Sequence, residues 1–213
     1  MFTRKISLVA LLTLGSFASV IGQNDPKAKK ILDELSAKTK SYTSIKAEFS
    51  KTLEKKDKSK ETQEAKIETK GSKYKLTITG HEIYSDGKTV WDYGKDANEV
   101  IIKDADNEGD ETISPTNIFT MYEKGYKFKF DSEDDKTQVV SLFPENPDKQ
   151  KFHTIKLTID KVKKQISSVK MLMKDGTSQT FTVKSFVANS DIPDTAFTFN
   201  AKSHPGVSVE DLR

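Results

Sequence analysis

The chain has 213 residues, no cysteine, and 35 Lys and Arg against 32 Asp and Glu, for a formal net charge of +3. That balance argues against nucleic acid and generic anionic surfaces as partners. The length allows one domain, or two small ones, with a core that needs no disulfide; the absence of cysteine also excludes a disulfide framework and a lipid-attachment motif.

Arg4 and Lys5 precede an uncharged run, "ISLVALLTLGSFASVIG", which small residues close at Val20 and Gly22. This is the pattern of a cleaved secretory signal over residues 1–22. The expected product is a single exported domain of about 191 residues, 23–213, with a net charge near +1.

"NDPKAKKILDELSAKTKSYTS" reads as a helix. Asp25 caps it, Pro26 takes its first position, and Ala28, Ile31, Leu32, Leu35 and Tyr42 form its apolar stripe. The period then becomes two. "IKAEFSKTLE", "AKIET", "YKLTIT", "EVIIKD", "YKFKF", "QVVSLF", "HTIKLTID", "QISSVKMLM" and "SQTFTVKSF" read as strands bounded by turn formers. With the strands of the "IYSDGKTVWDYG" hairpin, the count is about eleven. Short polar connections make the neighbours antiparallel, and one-sided alternation leaves one face wet and one dry. Asp86-Gly87 fits the centre of a two-residue hairpin. Ser85 then pairs with Lys88, Tyr84 with Thr89 and Ile83 with Val90. Tyr84, Trp91 and Tyr93 share one face, expected to point inward; Ser85, Lys88 and Asp92 share the other. "SPTNIFTMYEKGY" reads as a short helix inserted among the strands, with Ser114 as its cap and Gly125 as its stop.

Motifs of chemistry are absent. His81, His153 and His204 are dispersed, no paired-histidine metal motif occurs, and there is no nucleophile elbow or phosphate-binding loop. An enzyme, a metal site and a cofactor are all disfavoured. The apolar inner face is then either a filled core or the lining of a pocket for an apolar ligand.

At "SDGKTVW" and at "AFTFNAKSHPGVSVEDLR" the chain resembles the LolA family of periplasmic carriers of outer-membrane lipoproteins. The resemblance extends over nearly all of residues 23–213: the N-terminal helix, the "KAEF" strand, the hairpin, a Ser-Pro helix, then Phe197-x-Phe199 and Gly206-Val207-x-Val209-x-Asp211. It implies an α+β, mainly β fold, an incomplete, half-open antiparallel β-barrel with an N-terminal helix and a short helical lid over an apolar cavity. It implies a soluble periplasmic chaperone, a monomer without cofactor. The chaperone would accept acylated lipoproteins from an ATP-driven (ABC-type) inner-membrane release complex and pass them to an outer-membrane receptor. A carrier of another lipid-linked molecule, or a lipid-sensing regulatory module, is the alternative. On this reading Ile45, Phe49, Tyr74, Leu76, Ile78, Tyr84 and Trp91 line the cavity, and Ile118, Phe119, Met121 and Tyr122 cap it. The family's lid-tethering Arg-Pro aligns with Lys70-Gly71, which makes Lys70 the tether candidate; lysine lacks the planar guanidinium fork.

Overall fold

A computed structural model describes residues 25–105, 121–123 and 125–213 of the chain. The one α-helix among them, α1, spans Pro26–Lys40, as the sequence predicts. Asp25 Oδ1 caps it, accepting from the amides of Lys27 at 2.8 Å and Ala28 at 3.2 Å. The other carboxylate oxygen accepts from Phe130 N at 3.0 Å, and the Asp25 amide donates to Phe128 O at 3.4 Å. Burial alone would raise the Asp25 carboxyl, but the three amides of Phe130, Ala28 and Lys27 hold it below its usual value. One residue thus starts the helix and fixes its first turn against a strand.

The strands are β1 (Ile45–Glu54), β2 (Lys60–Lys70), β3 (Lys73–Ile78), β4 (His81–Ser85), β5 (Thr89–Gly94), β6 (Glu99–Asp104), β7 (Tyr126–Glu133), β8 (Thr137–Pro144), β9 (Phe152–Asp160), β10 (Gln165–Met173), β11 (Ser178–Ala188) and β12 (Ser208–Asp211). They form one sheet in the order β12-β6-β5-β4-β3-β2-β1-β11-β10-β9-β8-β7, half-open, with β12 and β7 at its two edges. Eleven strands follow the expected antiparallel pattern. The twelfth was not foreseen, and it pairs in parallel with β6. All four of its residues are exposed, so no apolar alternation marks it; the unpaired edge of β6 recruits it.

The apolar side chains of β7 to β10 and the stripe of α1 make the buried core, which includes Leu32, Leu35, Val140, Leu142, Ile155 and Leu157. Cross-strand pairing carries this face onward. Val169 lies opposite Phe181, Phe181 opposite Lys51, and Lys51 two residues from Phe49. The face under α1 is called inner below, and its reverse outer. Tyr42 lies beyond the helix end; its ring packs 5.7 Å from that of Phe186 and its hydroxyl accepts from Gln165. Of the expected inserted helix, residues 114–120 and 124 lie outside the described residues. Met121–Glu123 form a single 3-10 turn.

The hairpin between β4 and β5 differs from expectation by one pair. Tyr84 pairs with Trp91 and Ser85 with Val90, so Gly87 and Lys88, not Asp86 and Gly87, are its central residues. Gly87 has φ 90°, as a hairpin turn with glycine in first place requires. Asp86 supplies an acceptor instead: its Oδ1 takes the amides of Lys88 at 2.9 Å and Thr89 at 2.8 Å. Ser85 Oγ accepts from Gly87 N at 3.2 Å. The "SDGKT" motif is therefore the construction of a turn. Because pairing moved by two residues, the expected grouping of faces is unchanged.

After β11 the chain crosses the outer face. Ile192 and Phe197 are fully buried there, and Phe199 packs on Tyr84 and Tyr93 at 5.9 and 5.2 Å between ring centroids. Lys70 Nζ donates to Ile192 O at 3.0 Å and to Asp194 Oδ1 at 2.8 Å, and Lys73 Nζ to Asp194 Oδ2 at 2.6 Å. The two ammonium groups hold the Asp194 carboxyl down at about 2.

Asp25→Ala removes the cap and the strand contact together, and a loss of about 1–2 kcal/mol is expected in chemical denaturation. Gly87→Ala is strained twice, by its positive φ and because a methyl there meets the Ser72 hydroxyl. It should cost more than about 1 kcal/mol, and adding Ser72→Gly should recover only the part due to collision. Asp194 has a lowered folded pKa, so its contribution is complete above its ordinary value of 3.8 and fades as pH falls toward about 2. The stability difference between wild type and Asp194→Asn, followed by denaturation across that range, should vanish at the acid end.

Candidate binding face

From β1 to β6 the registers run without a bulge. Side chains therefore line up in straight cross-strand rows. One inner row reads Ala47, Ile67, Leu76, Ile83, Asp92, Ile101 from β1 to β6. On one side of it runs Ile45, Thr69, Tyr74, Ser85, Val90, Lys103; on the other run Phe49, Ala65, Ile78, His81, Gly94, Glu99. Ile45, Tyr74, Ser85 and Val90 are buried, whereas Phe49, Ile67, Leu76, Ile78, Ile83 and Ile101 are half-buried. None of these residues belongs to the core cluster under α1, though all share its face. The inner face is thus largely apolar from β7 to β6, with its charged groups, Asp92, Lys103 and Glu99, gathered at the β5–β6 end, and α1 packs only the β7–β10 end.

Five of the seven residues expected in the lining, Ile45, Phe49, Tyr74, Leu76 and Ile78, lie together on this face. Tyr84 and Trp91 do not. Tyr84 pairs with Lys75 on one side and Trp91 on the other, which places both in the row of Lys75, on the reverse of Tyr74 and Leu76. The inward direction expected for the hairpin aromatics is corrected accordingly. The signal that decides it lies one turn earlier. The two-residue link Thr79-Gly80 pairs Ile78 with His81, hence Leu76 with Ile83 and Tyr74 with Ser85.

On the outer face Tyr84 takes part in a charged network. Its hydroxyl donates to Glu82, Lys75 Nζ lies 4.8 Å from its ring, and Lys95 Nζ is 3.0 Å from Glu82 Oε1. Burial, followed by the Glu82 carboxylate, pushes the Tyr84 hydroxyl well above its usual range. Burial would raise Glu82, but the Tyr84 hydroxyl and the ammonium groups of Lys95 and Lys75 hold its carboxyl low. This is a structural knot beneath Phe199.

Of the expected cap, Ile118 and Phe119 lie outside the described residues, and Met121 opens the 3-10 turn. Tyr122 is buried in the core: its hydroxyl donates to Leu32 O at 2.9 Å and its ring meets Phe128 edge-on at 6.3 Å. Glu123 accepts from Ser36 Oγ at 2.9 Å and pairs with Lys40 at 2.6 Å, so this turn is fastened to α1. Lys70, the tether candidate, faces outward and binds the segment after β11.

Sequence reading missed Ala47, Ile67, Ile83 and Ile101, whose alternation was visible but whose alignment across strands was not. Among the described residues no three His, Asp or Glu side chains gather as metal ligands, and no helix is long and apolar enough to cross a membrane.

The fold is shared with an uncharacterised conserved protein from Thermus thermophilus, at a TM-score of 0.58 and 12% identity, over 87% of this chain and 99% of that one. A LolA superfamily protein from Nitrosomonas europaea aligns at 0.45 and 14% identity, over 81% and 97% of the two chains. LprF from Mycobacterium bovis aligns at 0.45 and 14%, over 81% and 98%. No curated protein matches the sequence. The family model described as outer membrane lipoprotein carrier protein LolA matches residues 18–177, and the chain belongs to that family.

Proposed function

We propose that this protein is a periplasmic chaperone for lipoproteins, exported by the signal at residues 1–22 and acting as the single domain 23–213. It shelters acyl chains released from the inner membrane by an ABC-type complex and delivers them to an outer-membrane receptor. The observation that carries the reading is the inequality of the inner face. One end is a close-packed core beneath α1; the other, with apolar residues in each of its rows, keeps Phe49, Leu76 and Ile78 half-buried.

The energetics favour such a division. Each methylene removed from water contributes ~0.8 kcal/mol, so a pair of long chains needs extensive apolar cover. A close-packed interior has no room for them. A carrier therefore needs a rigid part that keeps the sheet folded and an apolar part that is not filled to the same density. α1 and β7–β10 serve as the first, and the inner rows of β1–β6 as the second.

Moving the single tryptophan tests this assignment. In a Trp91→Phe, Phe49→Trp protein, loading with a triacylated lipopeptide should shift the emission to the blue. Wild-type protein, with Trp91 on the outer face, should show little change. Lipopeptide that co-elutes with the protein, yet shifts only Trp91, would move the site to the other face; failure to retain lipopeptide at all would end the carrier reading.

A further inference from the structure

The inner row from β1 to β6 is apolar except at one place. Asp92 stands between Ile83 and Ile101, its cross-strand neighbours on either side. His81 lies diagonally across from it, in the row of Ile78, with Nδ1 3.1 Å from Asp92 Oδ1. A carboxylate only accepts, so in this contact Nδ1 carries the hydrogen and Nε2 of the neutral ring is left as an acceptor. Asp92 Oδ2 is a second acceptor. Both side chains are open to solvent, Asp92 at 40% and His81 at 53%. Among the described residues no Lys or Arg pairs with Asp92, whereas Lys side chains pair with Glu48, Glu68, Glu82 and Asp131 on this sheet; Lys103 lies diagonally across from Asp92 on β6.

A charge in an apolar row costs solvation on this face and adds no packing. What the pair offers is negative charge and two acceptors at the border of an apolar surface.

We propose that Asp92 and His81 form a head-group subsite, selecting amphiphiles whose polar end is a primary ammonium. The apolar tail lies along Leu76, Ile78 and Ile83, and the ammonium donates to Asp92 Oδ2 and His81 Nε2. This rests on the carrier reading and narrows it: the preferred cargo presents a free amine beside its acyl chains.

Three probes with one tail separate the two ideas. Hexadecylammonium, hexadecanol and hexadecanoate, each below its micellar concentration, compete with a bound fluorescent fatty-acid analogue on the full-length exported protein. Wild type should bind the ammonium about tenfold tighter than the alcohol, and the carboxylate most weakly, as a half-exposed charge-assisted hydrogen bond allows. Asp92→Asn, of equal shape, should bring ammonium and alcohol together by weakening the ammonium the more. Asp92→Leu, which completes the apolar row, should bind the alcohol more tightly than wild type and lose the ammonium preference. Rising salt should shrink the wild-type preference and leave both variants unaffected. If wild type binds all three heads alike, or if Asp92→Asn keeps the preference, the subsite is overturned and the carrier reading stands. If no probe displaces the analogue from wild type, both fall.

Discussion

The structure depends on one constraint, the unbroken hydrogen-bond register from β1 to β6. Side chains on a strand alternate with period two, so five consecutive pairings without a bulge decide which residues share a surface across six strands. A single inserted residue would reverse everything beyond it. The turns that join these strands enforce that precision. Gly71 and Gly87, each the first central residue of a two-residue loop, take positive φ angles of 60° and 90°, and Asp86 satisfies two amides that the tight turn leaves over. The family's hairpin motif is thus a device for register, and the inner rows follow from it.

Around that sheet the chain distributes its cover unevenly. α1 is held at its start by Asp25 against β7, and along its length by the burial of Leu32 and Leu35. The segment after β11 covers the outer face of the opposite half, held by Lys70 and Lys73 at one end and by parallel pairing to β6 at the other. Each half of the sheet is thereby braced on a different side. On the half braced from outside no α-helix among the described residues packs the inner face, and that is the face on which the proposed ligand is placed.

Much of this was legible in the residues. Asp25 and Pro26 announce α1, and alternation in β1 and β9 announces strands with one dry face. What alternation cannot state is which face is dry, because Tyr84-Trp91 and Leu76-Ile83 are equally good apolar pairs. Only the pairing through Thr79-Gly80, and the docking of Phe199 on Tyr84, assign the aromatics to the outer side. β12 was hidden for a related reason: its stability resides in the partner edge, not in its four exposed residues. Lys70 was singled out only by the resemblance, which aligns it with the family's lid-tethering arginine; its ammonium binds the segment after β11. The charge of Asp92 was plain; its isolation among isoleucines became visible only when six strands were laid side by side.

An open sheet has two borders, and each invites another chain to add on. Here the β7 border meets Asp25, whose amide and carboxylate occupy the very groups, Phe128 O and Phe130 N, that an incoming strand would seek. The far border ends in a strand of four residues containing two acids, Glu210 and Asp211. Both borders of the half-open sheet are therefore guarded against zipping edge to edge into fibres, and the residue guarding one seam is the same one that begins the helix.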